Sequence, residues 1–225
     1  MQKREAYIIP EKPTLEYENQ LWEEGFRVVA GLDEAGRGAW AGPVYAAAVV
    51  LPTDNRVIDL LDGVRDSKRM TPKQRERWRG CIQSASVAWT IGSASHIEID
   101  EIGIVPATCL AMQRALDELV YEPNYLLVDY IQIRDCSCPQ LSLPKGDCRS
   151  LSIAAASVLA KTARDEYMRQ LDKQFPVYGF AQHKGYGTAQ HRMAIEEFGP
   201  CIVHRRSFNP IKSFFYSLNN TDLYW

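Results

Sequence analysis

Two adjacent carboxylates, Asp33 and Glu34, follow the apolar run Phe26-Arg27-Val28-Val29-Ala30 and precede glycines at 36, 38 and 42, with Arg37 between the first two. Further along, Tyr125-Leu-Leu-Val-Asp129 again ends an apolar run on a carboxylate, and Asp147 follows Lys145-Gly146 just ahead of a long helical stretch. Carboxylates gathered at strand ends repel one another, so such a group makes physical sense when cations neutralise it. An all-oxygen donor set suits Mg²⁺ or Mn²⁺. Two such ions, about 4 Å apart, would activate a water and stabilise the leaving oxygen of a phosphodiester. Arg37, Lys68 and Lys184 are candidates to bind the flanking phosphates. Taken alone, Asp33-Glu34 has a competing reading, a solvated turn after a strand. Successive strand side chains point to opposite faces, so the pair meets at one point only where the strand twists, bulges or ends. The neighbouring glycines supply that freedom.

The elements that must position these residues follow from the patterning. Residues 26–33 read as a first strand, and the nearly all-apolar Val44–Leu51 as a buried second one. Thr71-Pro72 with Gln74 forms a capping box and opens a basic helix over 72–84. Ser86–Ala94 reads as a third strand, so the chain starts with an antiparallel arrangement. His96 to Ile102 is expected to be a short connecting segment, and Pro106–Tyr121 a helix from its apolar periodicity. Strands over 125–129 and Leu141–Pro144 come next. Ser150–Phe175 reads as a long helix, small and apolar in its first half and charged in its second, which is expected to leave the core. Val177–Thr188 is expected to be a glycine-punctuated loop, and Thr188 to cap a last helix that ends at Gly199-Pro200. This is an α/β pattern, and the functional groups of such sheets gather at strand ends.

Composition narrows the class. Apolar residues make 46% and charged residues 24% of the 225-residue chain, as in ordinary globular domains. No apolar run approaches the ~20 residues that span a bilayer, and residues 1–25 lack a secretory signal, so a cytoplasmic protein is expected. A net charge of −2 does not announce a nucleic-acid binder, yet basic residues cluster at Lys68-Arg69, over 73–79 and at Arg205-Arg206. Six cysteines without a secretory signal are expected to be free thiols, and Cys136, Cys138 and Cys148 lack the spacing of a thiolate zinc site.

Five ordered stretches, GLDEAGRGAWAGPV, RDSKRMTP, LLVDY, KGDCRSLSIAAASVLAKTARDE and HKGYGT, resemble the motifs of the type 2 ribonuclease H (ribonuclease HII) family, from about residue 27 to about 210. The resemblance implies a ribonuclease H-like fold: a mixed five-stranded sheet flanked by helices, with a small C-terminal helical region. It implies a catalytic domain over 26–212, with a tail over 213–225; residues 1–25, polar and carrying Pro10 and Pro13, match none of its motifs and read as an N-terminal extension, partly ordered at most. It further implies a metal-dependent endonuclease that cuts RNA in RNA–DNA hybrids and 5′ of single ribonucleotides in duplex DNA, leaving 3′-hydroxyl and 5′-phosphate ends. On this resemblance the metal-binding carboxylates are Asp33, Glu34, Asp129 and Asp147, with Mn²⁺ or Mg²⁺ as cofactor. Gly36, Arg37 and Gly38 would contact the ribose 2′-hydroxyl, the group that marks RNA against DNA, and Tyr186 would read the junction. Ser67 and Lys68 would hold a backbone phosphate. A monomer is expected.

Some residues depart from this pattern or compete with it. Glycine follows the third carboxylate in the family pattern, and here Tyr130 does. Trp40 is bulky for its position and either lies against nucleic acid or packs beneath the loop. Asp165 is expected in an ion pair with a nearby arginine or solvated on a helix surface, not as the fourth ligand, and His183 and His191 are expected to be structural. Phe214-Phe215-Tyr216 is expected to pack rather than bind a clamp. Two rivals remain: a type 3 ribonuclease H acting on longer hybrids, and a non-catalytic nucleic-acid-binding relative.

Overall fold

The structure, a computed structural model, describes residues 10–134 and 136–214. Helix α1 (Glu16–Glu23) leads into strands β1 (Val29–Ala35) and β2 (Val44–Val50). Helices α2 (Val57–Leu60) and α3 (Pro72–Ala85) precede β3 (Ala88–Ala94), and α4 (His96–Ile102) and α5 (Ile104–Asp117) precede β4 (Tyr125–Asp129) and β5 (Gln140–Leu143). Helices α6 (Leu151–Gln174), α7 (Phe180–His183) and α8 (Ala189–Phe198) complete the chain. The strands form one five-stranded sheet in the order β3-β2-β1-β4-β5. β1 runs parallel to β4 with Leu32 opposite Val128, and β4 runs parallel to β5 with Asp129 opposite Leu143. The link over residues 36–43 is too short for a parallel crossover, so β1 and β2 are antiparallel and the sheet is mixed.

The chain divides into two compact units. One gathers residues up to Asp33, Ala48–Trp89 and Leu119–Val158; the other gathers Glu34–Ala47, Thr90–Glu118 and the residues from Leu159 onward. In the first, Leu126, Leu127 and Val128 of β4 are fully buried, as a central strand requires. Gly31 of β1 lies so close to α6 that a Cβ there would stand 2.3 Å from the Ser152 carbonyl carbon. In the second, Met168 and Leu171 pack with Tyr178, Phe180, Ile195 and Ile211 into a core that Phe214 joins at its edge. Phe215, Tyr216 and the rest of the expected tail lie outside the described residues. Among the described residues no helix is long and apolar enough to cross a membrane.

Four expectations need correction. The segment from His96 is a helix: Ser95 Oγ accepts from the Glu98 amide at 3.2 Å while Glu98 Oε2 accepts from the Ser95 amide at 2.8 Å, a reciprocal cap that offsets its short length. The charged second half of α6 stays in the core, with Arg164 and Met168 fully buried. The loop expected over 177–188 contains a 3₁₀ turn, Pro176–Tyr178, and α7. Residues 10–25 are not a loosely ordered extension, since α1 buries Glu18, Leu21 and Trp22. Strand and helix boundaries elsewhere fall within a few residues of expectation. The capping box at Thr71 and Gln74 forms as read.

Candidate metal centre and glycine loop

The first unit holds three of the carboxylates. Because Leu32 and Val128 are in register on parallel strands, Asp33 and Asp129 follow them side by side. Beyond β5, Lys145 adopts a left-handed backbone and Gly146 turns the chain back. The Gly146 amide donates to Asp129 Oδ1 at 2.7 Å, and Asp147 comes next, in the 3₁₀ turn Gly146–Cys148. Asp33 is 4% and Asp147 6% exposed, while Asp129 is half-buried. Burial pushes the Asp147 pKa up, the charge of Asp66 adds to this, and Lys68 opposes it.

Lys68 faces the group. Partial desolvation works against its charge, but the fields of Asp33, Asp147, Asp66 and Asp129 outweigh that and raise its pKa. Asp66 orients it, with Oδ1 accepting from the Lys68 amide at 2.9 Å. Asp66 was missed in the sequence reading, although it stands beside Ser67 and Lys68 in the same motif. A ligand atom from each of Asp66, Asp147 and Cys148 lies within 4.8 Å of the others. Ser67, expected to hold a phosphate, is buried instead. Its hydroxyl pairs with Ser157 Oγ at 2.9 Å and its carbonyl accepts from Arg75 Nη1 at 3.0 Å. This ties the turn bearing Lys68 to α3 and α6. Tyr130, after Asp129, is 69% exposed and adopts φ +58°, the left-handed backbone that glycine favours. That conformation explains why glycine suits this position.

The second unit begins at Glu34 and holds the glycine loop. Glu34 Oε1 accepts from Arg37 Nη1 at 3.2 Å. Gly36 has φ +98°, and a Cβ on it would stand 2.0 Å from Arg164 Nε. At Gly38 the same Cβ would meet open space. Two buried arginines hold the loop from within. Arg164 donates to the carbonyls of Pro43, Lys184 and Ala41 at 2.9, 2.9 and 3.2 Å. Arg205 donates to those of Gly42 and Arg37 at 2.9 and 2.8 Å. Burial lowers both pKa values, and Arg205, with Arg164 nearby, is pushed down to about 9.

Tyr186 stands with Arg164 and Lys161 over its ring, 5.3 and 5.5 Å from the centroid. Lys184 has a left-handed backbone and its ammonium donates to the Ala181 carbonyl at the end of α7. Trp40 packs beneath the loop: its indole fills the space that a Cβ at Gly187 would take, and its ring lies 5.5 Å from that of His191. Asp165 is buried, pairs with Lys161 Nζ at 2.6 Å and acts on the neighbouring Arg164 charge, so it is ion-paired and does not lie on a solvated surface.

His183, His191 and His204 form a network of neutral rings. The Gly185 amide donates to His183 Nδ1, so His183 Nε2 carries the proton and donates to the Tyr178 carbonyl at 2.7 Å. The Cys201 amide likewise donates to His204 Nδ1, which leaves His204 Nε2–H to donate to His191 Nε2 at 3.0 Å. Burial pushes His191 down to about 3 and His204 down to about 4. All six cysteines are free thiols. Burial raises Cys138 and Cys148 to about 11, which does not favour a thiolate site.

The strand order β3-β2-β1-β4-β5 with its flanking helices is a ribonuclease H-like fold. Ribonuclease H2 from Pyrococcus horikoshii OT3 shares that fold, with a TM-score of 0.72 at 24% identity over 85% of this chain and 98% of its own. A family model described as ribonuclease HII matches residues 30–211. A ribonuclease HII from Roseiflexus castenholzii is 52% identical over 202 residues, 88% of this chain and 89% of that protein. Another from Chloroflexus aurantiacus is 49% identical over 210 residues, 93% and 99% of the two chains. The chain belongs to the ribonuclease HII family. It is therefore a ribonuclease H, a hydrolase of a divalent-metal-dependent family that acts on RNA–DNA substrates.

Proposed function

We propose that this chain cuts RNA in RNA–DNA hybrids and, in duplex DNA, cuts 5′ of a single embedded ribonucleotide, leaving 3′-hydroxyl and 5′-phosphate ends. Its task would be the removal of misincorporated ribonucleotides, carried out by a monomeric cytoplasmic protein through a catalytic domain over residues 26–212. The observation that supports this reading is the register that sets Asp33 beside Asp129, with the Gly146 amide tying Asp129 to the turn that carries Asp147.

Asp33, Glu34, Asp129 and Asp147 would hold Mg²⁺ or Mn²⁺. The fit rests on the donor set, which is all hard oxygen, and on two deeply buried acids facing one lysine. Bound divalent cations supply activation of the attacking water and charge stabilisation at the leaving oxygen. The chain's own residues position the reaction. The Gly146 amide fixes one Asp129 oxygen. Lys68 and Arg37 meet flanking phosphates. Ser67 acts through the placement of Lys68, and Lys184 through the turn before Tyr186, since their polar groups bond within the protein. Backbone groups of Gly36, Arg37 and Gly38 take the 2′-hydroxyl, and open space at Gly38 lets a ribose approach. Tyr186 stacks at the junction, its ring held by two cations.

The reading is tested by comparing cleavage of a duplex with one ribonucleotide against a long RNA–DNA hybrid, with the cut bond mapped. A cut 5′ of the single ribonucleotide supports it. Cleavage of the long hybrid alone would indicate type 3 behaviour, and binding without cleavage in Mn²⁺ a non-catalytic relative.

A further inference from the structure

We propose that the N-terminal segment Thr14–Glu18 is a brace that positions Asp147 for metal binding, so that Glu18 and Tyr17 are positioning residues of the metal centre. The proposal rests on the reading of Asp147 as a metal ligand. Thr14 forms a parallel bridge to Ser150: its amide donates to the Arg149 carbonyl at 3.1 Å and its carbonyl accepts from the Leu151 amide at 2.9 Å. The Tyr17 hydroxyl accepts from Arg149 Nη2, and that guanidinium lies 5.1 Å over the Tyr17 ring. Glu18 is 1% exposed, and its Oε1 accepts from Ser150 Oγ at 2.6 Å, Ser152 Oγ at 2.7 Å and the Ser152 amide at 2.9 Å.

Residues 149 to 152 are thus held in succession by three residues of the N-terminal segment, Thr14, Tyr17 and Glu18, starting two positions after Asp147. The turn itself is closed by the Arg149 and Ser150 amides, which both donate to the Gly146 carbonyl at 2.9 and 2.8 Å. At its other end Gly146 is bonded to Asp129. The turn bearing Asp147 is therefore fixed on both sides, by a carboxylate of the centre and by the brace. Ser152, which Glu18 holds, also backs Gly31 of β1 two residues before Asp33.

Packing alone does not account for Glu18. A buried carboxylate is costly unless it is well bonded, and its Oε2 is buried with no hydrogen-bond partner among the described residues. An apolar residue would pack α1 at lower cost, but it would take away the acceptor that both serine hydroxyls and the Ser152 amide share and so loosen the hold on the segment after the turn. Residues that orient metal ligands from behind typically change metal affinity by about 10–100-fold when removed.

The test is Mn²⁺ binding to the full chain without substrate, followed by calorimetry, with fold checked by circular dichroism. Glu18→Ala is expected to weaken Mn²⁺ binding about tenfold while KM for the duplex stays the same. Tyr17→Phe should weaken it less, and Glu18→Gln, which keeps an acceptor for the serines, should recover most of the loss. Folded Glu18→Ala with wild-type Mn²⁺ affinity overturns the brace. If Glu18→Ala does not fold, Tyr17→Phe and Ser152→Ala decide the matter in the same way: weakened Mn²⁺ binding supports the brace and unchanged binding overturns it. Asp147→Asn separates the two readings. If it leaves Mn²⁺ binding intact, Asp147 is no ligand and the brace falls with it; if it weakens binding where the brace variants do not, only the brace falls.

Discussion

The Gly146 amide donates to Asp129 Oδ1 at 2.7 Å, joining the end of β4 to the turn that carries Asp147. One oxygen of Asp129 therefore organises the protein, and on the proposed reading the same carboxylate meets a cation. Asp129→Asn keeps a carbonyl for Gly146 and removes the charge. It should lower cleavage by about a hundredfold or more, since a metal's charge stabilisation is worth several kcal/mol, with stability within about 1 kcal/mol of wild type. Asp129→Ala should lose the same activity and also about 1–3 kcal/mol of stability from the unbonded amide. Single-turnover kinetics and urea unfolding of the two variants provide the check.

Gly36 and Gly38 differ although they lie in one loop. Gly36→Ala meets both a left-handed backbone and the Arg164 side chain at 2.0 Å. It should cost about 2 kcal/mol or more, because strain and overpacking add. Gly38→Ala meets nothing and should leave stability within about 0.5 kcal/mol, so a fall in single-ribonucleotide cleavage there reports on substrate approach. Unfolding midpoints of both variants test the contrast.

Tyr130→Gly relieves the left-handed backbone of an exposed residue. It should stabilise the protein by up to about 1 kcal/mol, the order of the penalty for an L-residue there. A lower unfolding midpoint would contradict that. Any change in KM for the duplex would show that the ring touches substrate.

The histidine network sets an acid limit on stability. His191 and His204 are neutral in the fold, with pKa values near 3 and 4, and regain ordinary values near 6.5 on unfolding. As pH falls from about 6.5 to about 4, the unfolded chain takes up protons that the folded chain refuses, so stability drops by about 1.4 kcal/mol per pH unit for each ring. Urea unfolding at pH 7, 6 and 5 should show this slope, and the double variant His191→Gln/His204→Gln should flatten it.

The elements that carry the site were legible because their signals are local. β4 is an apolar run closed by Asp129, α3 opens with a capping box, and α8 is bracketed by its caps Thr188 and Gly199. Where the sequence misled, long-range bonds decided. α1 orders because Glu18 reaches Ser150 and Ser152, more than 130 residues away, and Arg164 stays buried because loop carbonyls receive its charge. Ser67 looked like a phosphate ligand until Ser157 claimed its hydroxyl. The missed helix at His96 is different, since Ser95 and Glu98 spell its cap in the sequence.

On the proposed function, the strand-end carboxylates form a metal centre that cuts nucleic acid. The most direct measurement is cleavage of a duplex containing one ribonucleotide by Asp33→Asn in Mg²⁺ and in Mn²⁺, beside the wild type. The variant is expected to fold, to bind the duplex and not to cut it, while the wild type cuts 5′ of the ribonucleotide. Wild-type turnover by Asp33→Asn would contradict the proposed function.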